Sequence, residues 1–137
     1  MAYEESLRSI TLNADDSLAV FTGVPGAIGS PSPHYGNQYR FVKLTGARQA
    51  GLVTAETDTV IGVLQSKPQV EGQESTIAIR GISNVMSGTA LAAGDLVAPD
   101  TQGRAAKTTD KAAAVGIVID STASAVNQIA SVLLWIN

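Results

Sequence analysis

Cysteine is absent from the 137 residues, so neither a disulfide nor a thiolate metal site can form, and stability has to come from packing or assembly. Aromatic side chains make up only 4% of the chain, too few for an extended stacking surface. Charged residues are 15% and the formal net charge is −3, which argues against a partner that is neutralised phosphate by phosphate. The nine Lys and Arg are scattered, with no basic patch. No apolar run approaches the roughly 20 residues that span a bilayer. The first ten residues, MAYEESLRSI, are acidic and lack the apolar stretch of a secretory signal. Nucleic acid and membrane are therefore not expected partners.

What is present is a chain with 45% hydrophobic residues and 13 glycines, rich in Ala, Val, Thr and Ser, a mixture suited to thin, tightly layered β structure. One domain fits this length. Residues 1–38 read as an arm: SITL and SLAVF are followed by GVPGAIGSPSPHYGNQ, where Pro25, Pro31 and Pro33 remove backbone donors between flexible glycines. Such a run buries little by itself. It is either a surface loop or leader, or an extended arm that orders against a partner. In the second case Ser9, Ile10, Thr11 and Leu12, with Leu18, Ala19, Val20 and Phe21, are the candidates to add strands to a neighbour's sheet edge.

From residue 39 onward the pattern is all-β. YRFVKLTG alternates, although either side of it could face the core. LVTA, TVIGVLQ and STIAIRG read as further strands, the last with Ile77 and Ile79 on one face. Residues 81–100, GISNVMSGTALAAGDLVAPD, read as a strand end, a hairpin-like connection and a short second strand. That stretch joins two halves on one plan: LVAPD answers FVKLT, AVGIVID answers VIGVLQS, and QIASVLLW answers QESTIAI. Setting Gly51 opposite Gly103 puts Asp58 opposite Asp110, and two further residues put Gly62 opposite Gly116. The expected architecture is a small β-sandwich or barrel of two similar halves over residues 39–137. Near residue 130 a helix competes by spacing, but the repeat favours a strand from Gln128.

Reactive constellations are thin. His34, the only histidine, lies between Pro33 and Tyr35 in the loosest segment, where a rigidly held imidazole is not expected. The twelve carboxylates form no close pair in an apolar setting, and Asp58 and Asp110 read as turn residues. No phosphate loop is present. No catalytic residue, metal site or cofactor is expected, and the chain does not read as an enzyme.

A resemblance carries the reading further. RFVKLTG, VIGVLQSKP, GQESTIAIRGISNVMSGTALAAGDLVAPDTQGRAAK, AVGIVID and ASVLLW together resemble the capsid cement, or head decoration, proteins of tailed bacteriophages, over about residues 39–135. The resemblance implies a virion protein on the outer surface of the head. It would bind the major capsid protein and copies of itself, often as homotrimers, and bridge neighbouring subunits. The arm residues named above then become candidates for capsid contact. Val85, Met86 and Leu91 become candidates for contact between copies. The rival readings are a β-type binding module of a tail fibre or cell surface, which would show clustered aromatics, and a small enzyme.

Overall fold

The computed structural model describes residues 8–18, 37–121, 123 and 125–135. They are all-β, with no helix among them. Nine strands follow in order: β1 (Arg8–Ala14), β2 (Phe41–Gly46), β3 (Gln49–Leu52), β4 (Gly62–Leu64), β5 (Glu74–Met86), β6 (Leu96–Pro99), β7 (Ala105–Lys107), β8 (Gly116–Ser121) and β9 (Ile129–Trp135). They form one sheet, ordered β1-β3-β2-β4-β5-β9-β8-β6-β7, with an additional pairing of β1 to β5. That pairing closes β1, β3, β2, β4 and the first part of β5 into a ring. A parallel bridge between Ser87 and Ala105 joins the continuation of β5 to β7, so β9, β8, β6 and β7 form a second ring.

The two rings repeat each other pair by pair. Val42 faces Leu52 and Gly62 in the first, and Val97 faces Lys107 and Gly116 in the second. Leu64 pairs with Ile77, and Val118 with Val132. The parallel contact of Ala14 with Ala50 returns as Ser87 with Ala105. Ile10 opposite Ile77 returns as Ser83 opposite Val132. Thus β1 corresponds to the second part of β5, and this 13-residue strand closes one ring and opens the next. Gly81, at φ 98, lies where the two roles meet. The duplication is real, and its register differs from the sequence alignment. Arg48, not Gly51, corresponds to Gly103, so Asp58 and Asp110 are not equivalent, while Gly62 and Gly116 are. The stretch 81–100 is not a hairpin, because β5 and β6 are separated by β9 and β8. The strand expected near the C-terminus is β9.

Core formation explains why neither side of YRFVKLTG could be chosen. Val42, Leu64 and Ile77 point into the first ring with Ala14, Leu18, Ala50 and Leu52. Their chain neighbours Phe41, Val63 and Ala78 join the core of the second ring, with Val85, Val97, Val118, Val132 and Leu134. All six are 0% exposed, so these strands are buried on both faces. The cause is an insertion. In the first ring Asn13 N–H donates to the Arg48 carbonyl (2.8 Å). In the second, the corresponding Met86 N–H donates to the Tyr39 carbonyl (2.8 Å), and Phe41 N–H donates to the Gly103 carbonyl (2.6 Å). Residues 39–41 therefore wedge the second ring open and carry the outer side of the first into its core.

Candidate binding surfaces

Strand β1 alternates between the first core and solvent. Leu12 and Ala14 face inward, and Ser9, Thr11 and Asn13 are exposed on the other side. On one edge Ser9, Ile10, Thr11 and Leu12 pair with Ala78, Ile77, Thr76 and Ser75 of their own β5. The backbone groups on that edge are used within the chain, while on the other edge β3 pairs only with Asn13 and Ala14, and outside β1 carries a stripe of small polar side chains. Ile10, 37% exposed, sits at the mouth of the ring. Leu18 is 1% exposed and belongs to the first core, which removes it from any surface. It is anchored by a turn in which Asp15 Oδ1 accepts the Ser17 N–H (2.8 Å), while Ser17 Oγ accepts the Leu52 N–H (2.8 Å). Ala19, Val20, Phe21 and His34 lie outside the described residues.

Two of the three residues expected between copies are interior. Val85 is 0% and Leu91 6% exposed, both in the second core, because inward positions of β5 alternate with outward ones. Met86 is half-buried. The outward positions beside them were missed. Ile82 faces Leu133, Leu133 faces Ile117, and Ile117 faces Leu96, so one apolar row crosses four strands on the outside of the second ring. Ile82 is 38% exposed; Ile129 (36%) and Trp135 (38%) lie on the same side of β9 as Leu133. The signal was in the sequence: IASVLLW alternates apolar residues on both faces, which a strand with one wet side does not need.

Charge is concentrated where the rings meet. Asp100 Oδ2 accepts from Arg104 Nε (2.9 Å), and its Oδ1 accepts the backbone N–H groups of Gln102 and Arg104 (both 2.8 Å). Arg40 reaches the Gln102 carbonyl (3.1 Å), and its Nε is buried without a partner. Burial, followed by repulsion from Arg104, pulls the Arg40 guanidinium below its ordinary value, and Asp100 opposes this. On the first ring, Asp58 Oδ2 accepts from Lys43 Nζ (2.8 Å) and from the backbone N–H groups of Thr54 and Ala55 (both 3.0 Å). The Lys43 bond and then the Thr54 bond lower the Asp58 carboxyl from 3.8 to about 2. These are structural fastenings of turns and ring seams. No group of three or more His, Cys, Asp or Glu capable of holding a metal occurs among the described residues. No helix long and apolar enough to cross a membrane occurs among the described residues.

Comparison with known proteins bears on these surfaces. No curated protein sequence matches the chain. The fold is similar to that of the head fiber gp8.5 N base of bacteriophage phi29, with a TM-score of 0.62, 13% sequence identity and 95% of each chain covered. The family model described as phage cement protein matches residues 37–134, which include β2 to β8 and all but the last residue of β9. The chain belongs to the phage cement protein family and is a structural protein of the phage head, placed on the outer surface of the capsid.

Proposed function

We propose that this protein stabilises the assembled head by bridging neighbouring major capsid protein subunits from outside, as copies that contact one another in trimers, and that it carries out no reaction. The observation that carries the reading is the family match over residues 37–134. The form of the body supports it. Two rings sharing β5 and a seam make a unit tied together by strand pairing and backbone hydrogen bonds. Such a unit transmits load between neighbours, and many copies on one lattice give strong retention from modest single contacts. The acidic balance suits a protein partner on the outside of the shell.

The test is co-sedimentation of the purified protein with expanded, undecorated heads of the phage that encodes it, followed by heating of the heads with and without it. Saturable uptake and a higher temperature of head disruption are expected. Failure to bind those heads, or binding with no change in disruption, overturns the bridging role. Light scattering of the free protein and counting of head-bound copies test the trimer.

A further inference from the structure

The outer row Ile82–Leu133–Ile117–Leu96 has a counterpart. In the first ring the same positions are held by Ser9, Ala78, Val63 and Phe41, again in register across β1, β5, β4 and β2. There, Ala78, Val63 and Phe41 are 0% exposed, because the second ring covers them. The second ring carries an apolar row at these positions, in which Leu133, Ile117 and Leu96 are half-buried and Ile82 is exposed. Ile82 and its neighbours Ile129 and Trp135 are each more than a third exposed.

We propose that this face is where copies of the protein contact one another. The inference deepens the reading that copies sit side by side on the head, and rests on it. Apolar faces of this kind suit permanent contacts, whereas a surface that must meet a head already bathed in water is expected to be more polar, as the β1 stripe is. A second copy supplies a matching apolar row. The charges at its margins agree: Arg80 flanks the row on β5 beside Trp135, and Asp120 lies on β8 opposite Ser131. Among the described residues neither is in an ion pair. Opposite signs on opposite margins let the Arg80 side of one copy approach the Asp120 side of the next.

Because the chain has no cysteine, Ser131→Cys places a single thiol in the middle of this face. Light scattering of the full chain across a hundredfold range of concentration, with no heads present, gives its mass, and mild oxidation reports proximity of the thiols. Expected are a mass above one chain, disulfide-linked copies of Ser131→Cys, and at least a tenfold weaker association for Ile82→Asp and Leu133→Asp. Thr11→Asp, on the outside of β1, is expected to associate normally. Circular dichroism melting establishes that each variant folds, and the Ser131→Cys result does not depend on the disruptive pair. A mass of one chain throughout with no cross-link in solution or on heads overturns the inference, as does association unchanged in a folded Ile82→Asp. Heads that still take up such a monomer leave the head-binding reading standing, whereas absence of uptake by a protein that does cross-link sinks that reading and leaves this one.

Discussion

Tyr39 and Gly94 hold the same place in the two rings. Tyr39 N–H donates to the Leu64 carbonyl (2.7 Å), and Gly94 N–H to the Val118 carbonyl (2.8 Å). Both are left-handed, at φ 69 and 92. Arg48 (φ 56) matches Gly103 (72), and Asn127 (59) matches Gly72 (87). Every described non-glycine with positive φ thus has a glycine as its counterpart, so the backbone of the duplicated unit calls for this conformation at three points whatever residue stands there.

Arg48→Gly is the clearest substitution to follow from this, because Arg48 is exposed and in no ion pair among the described residues. The left-handed conformation costs a non-glycine residue about 1–2 kcal/mol, and glycine's added freedom when unfolded gives back about 0.5–1. The variant is expected to be stabilised by roughly 0–1 kcal/mol in urea unfolding. Gly94→Ala, with nothing near its Cβ, should cost about 1 kcal/mol from strain alone. Gly103→Ala should cost more, since its Cβ would lie 2.8 Å from Leu52 Cδ1 and 2.9 Å from the Phe41 carbonyl oxygen.

Gly62 and Gly116 mark a second shared requirement. A Cβ on Gly62 would come within 2.4 Å of the Ala78 carbonyl oxygen, and one on Gly116 within 2.7 Å of that of Leu133. In each ring the glycine lets a strand approach the backbone of its neighbour. Alanine at either site is expected to cost about 1–3 kcal/mol in the same assay. Near-equal penalties would agree with the repeat, and a neutral variant at either position would contradict the close packing.

These positions show what the sequence could and could not disclose. The succession of strands along each half was legible because apolar runs and turn glycines recur in the same sequence in both halves. Register was not, since Arg48 holds a glycine's conformation without being one, and Gly51 drew the alignment instead. The place of β1 was hidden for a related reason. RSITLNA shows little likeness to GISNVM, yet the two strands make the same pairings, because strand pairing is carried by backbone groups common to all residues. Among contact candidates, Val85 lies on β5 and Leu91 in the loop that follows it. Inward and outward positions there differ by one residue, and Val85 is apolar like Ile82.

Leu18→Ala is expected to destabilise the fold by about 2–4 kcal/mol, because Leu18 fills the first ring and is 1% exposed. For the same reason, removal of residues 1–38 should abolish the cooperative thermal transition rather than leave a folded body. Ala14 and Leu18 leave the core with that segment, and the first half of β5 loses one of its two strand partners. A truncated protein melting like the parent would show that the first ring closes without β1.

Acid should act through Asp58. Its carboxyl is held at about 2 in the fold, below the ordinary 3.8, by the Lys43 bond and the turn amides. A depressed folded value means that the ionised form is favoured by folding. Its contribution is therefore present above about pH 4 and lost as pH falls from there towards 2. Denaturant midpoints measured at pH 5 and pH 2.5 should drop for the parent and drop less for Asp58→Asn, which cannot ionise. Equal drops would place the acid sensitivity elsewhere.

The polar stripe of β1 offers a test on the head. Ser9 and Thr11 are exposed, short and oriented away from the first core, so acidic replacements there leave the packing of Leu12 and Ala14 intact. Ser9→Asp and Thr11→Asp should unfold within about 0.5 kcal/mol of the parent, as surface changes do. If this stripe meets the capsid, each added charge must be desolvated or opposed in the contact, and the double variant should need at least tenfold more protein to saturate heads. The two replacements leave the backbone of β1 and its pairing with β5 in place, so loss of uptake would point to side-chain recognition. Uptake at the parent's concentration would move the contact to another face, and the seam around Arg40 and Arg104 would be the next to alter.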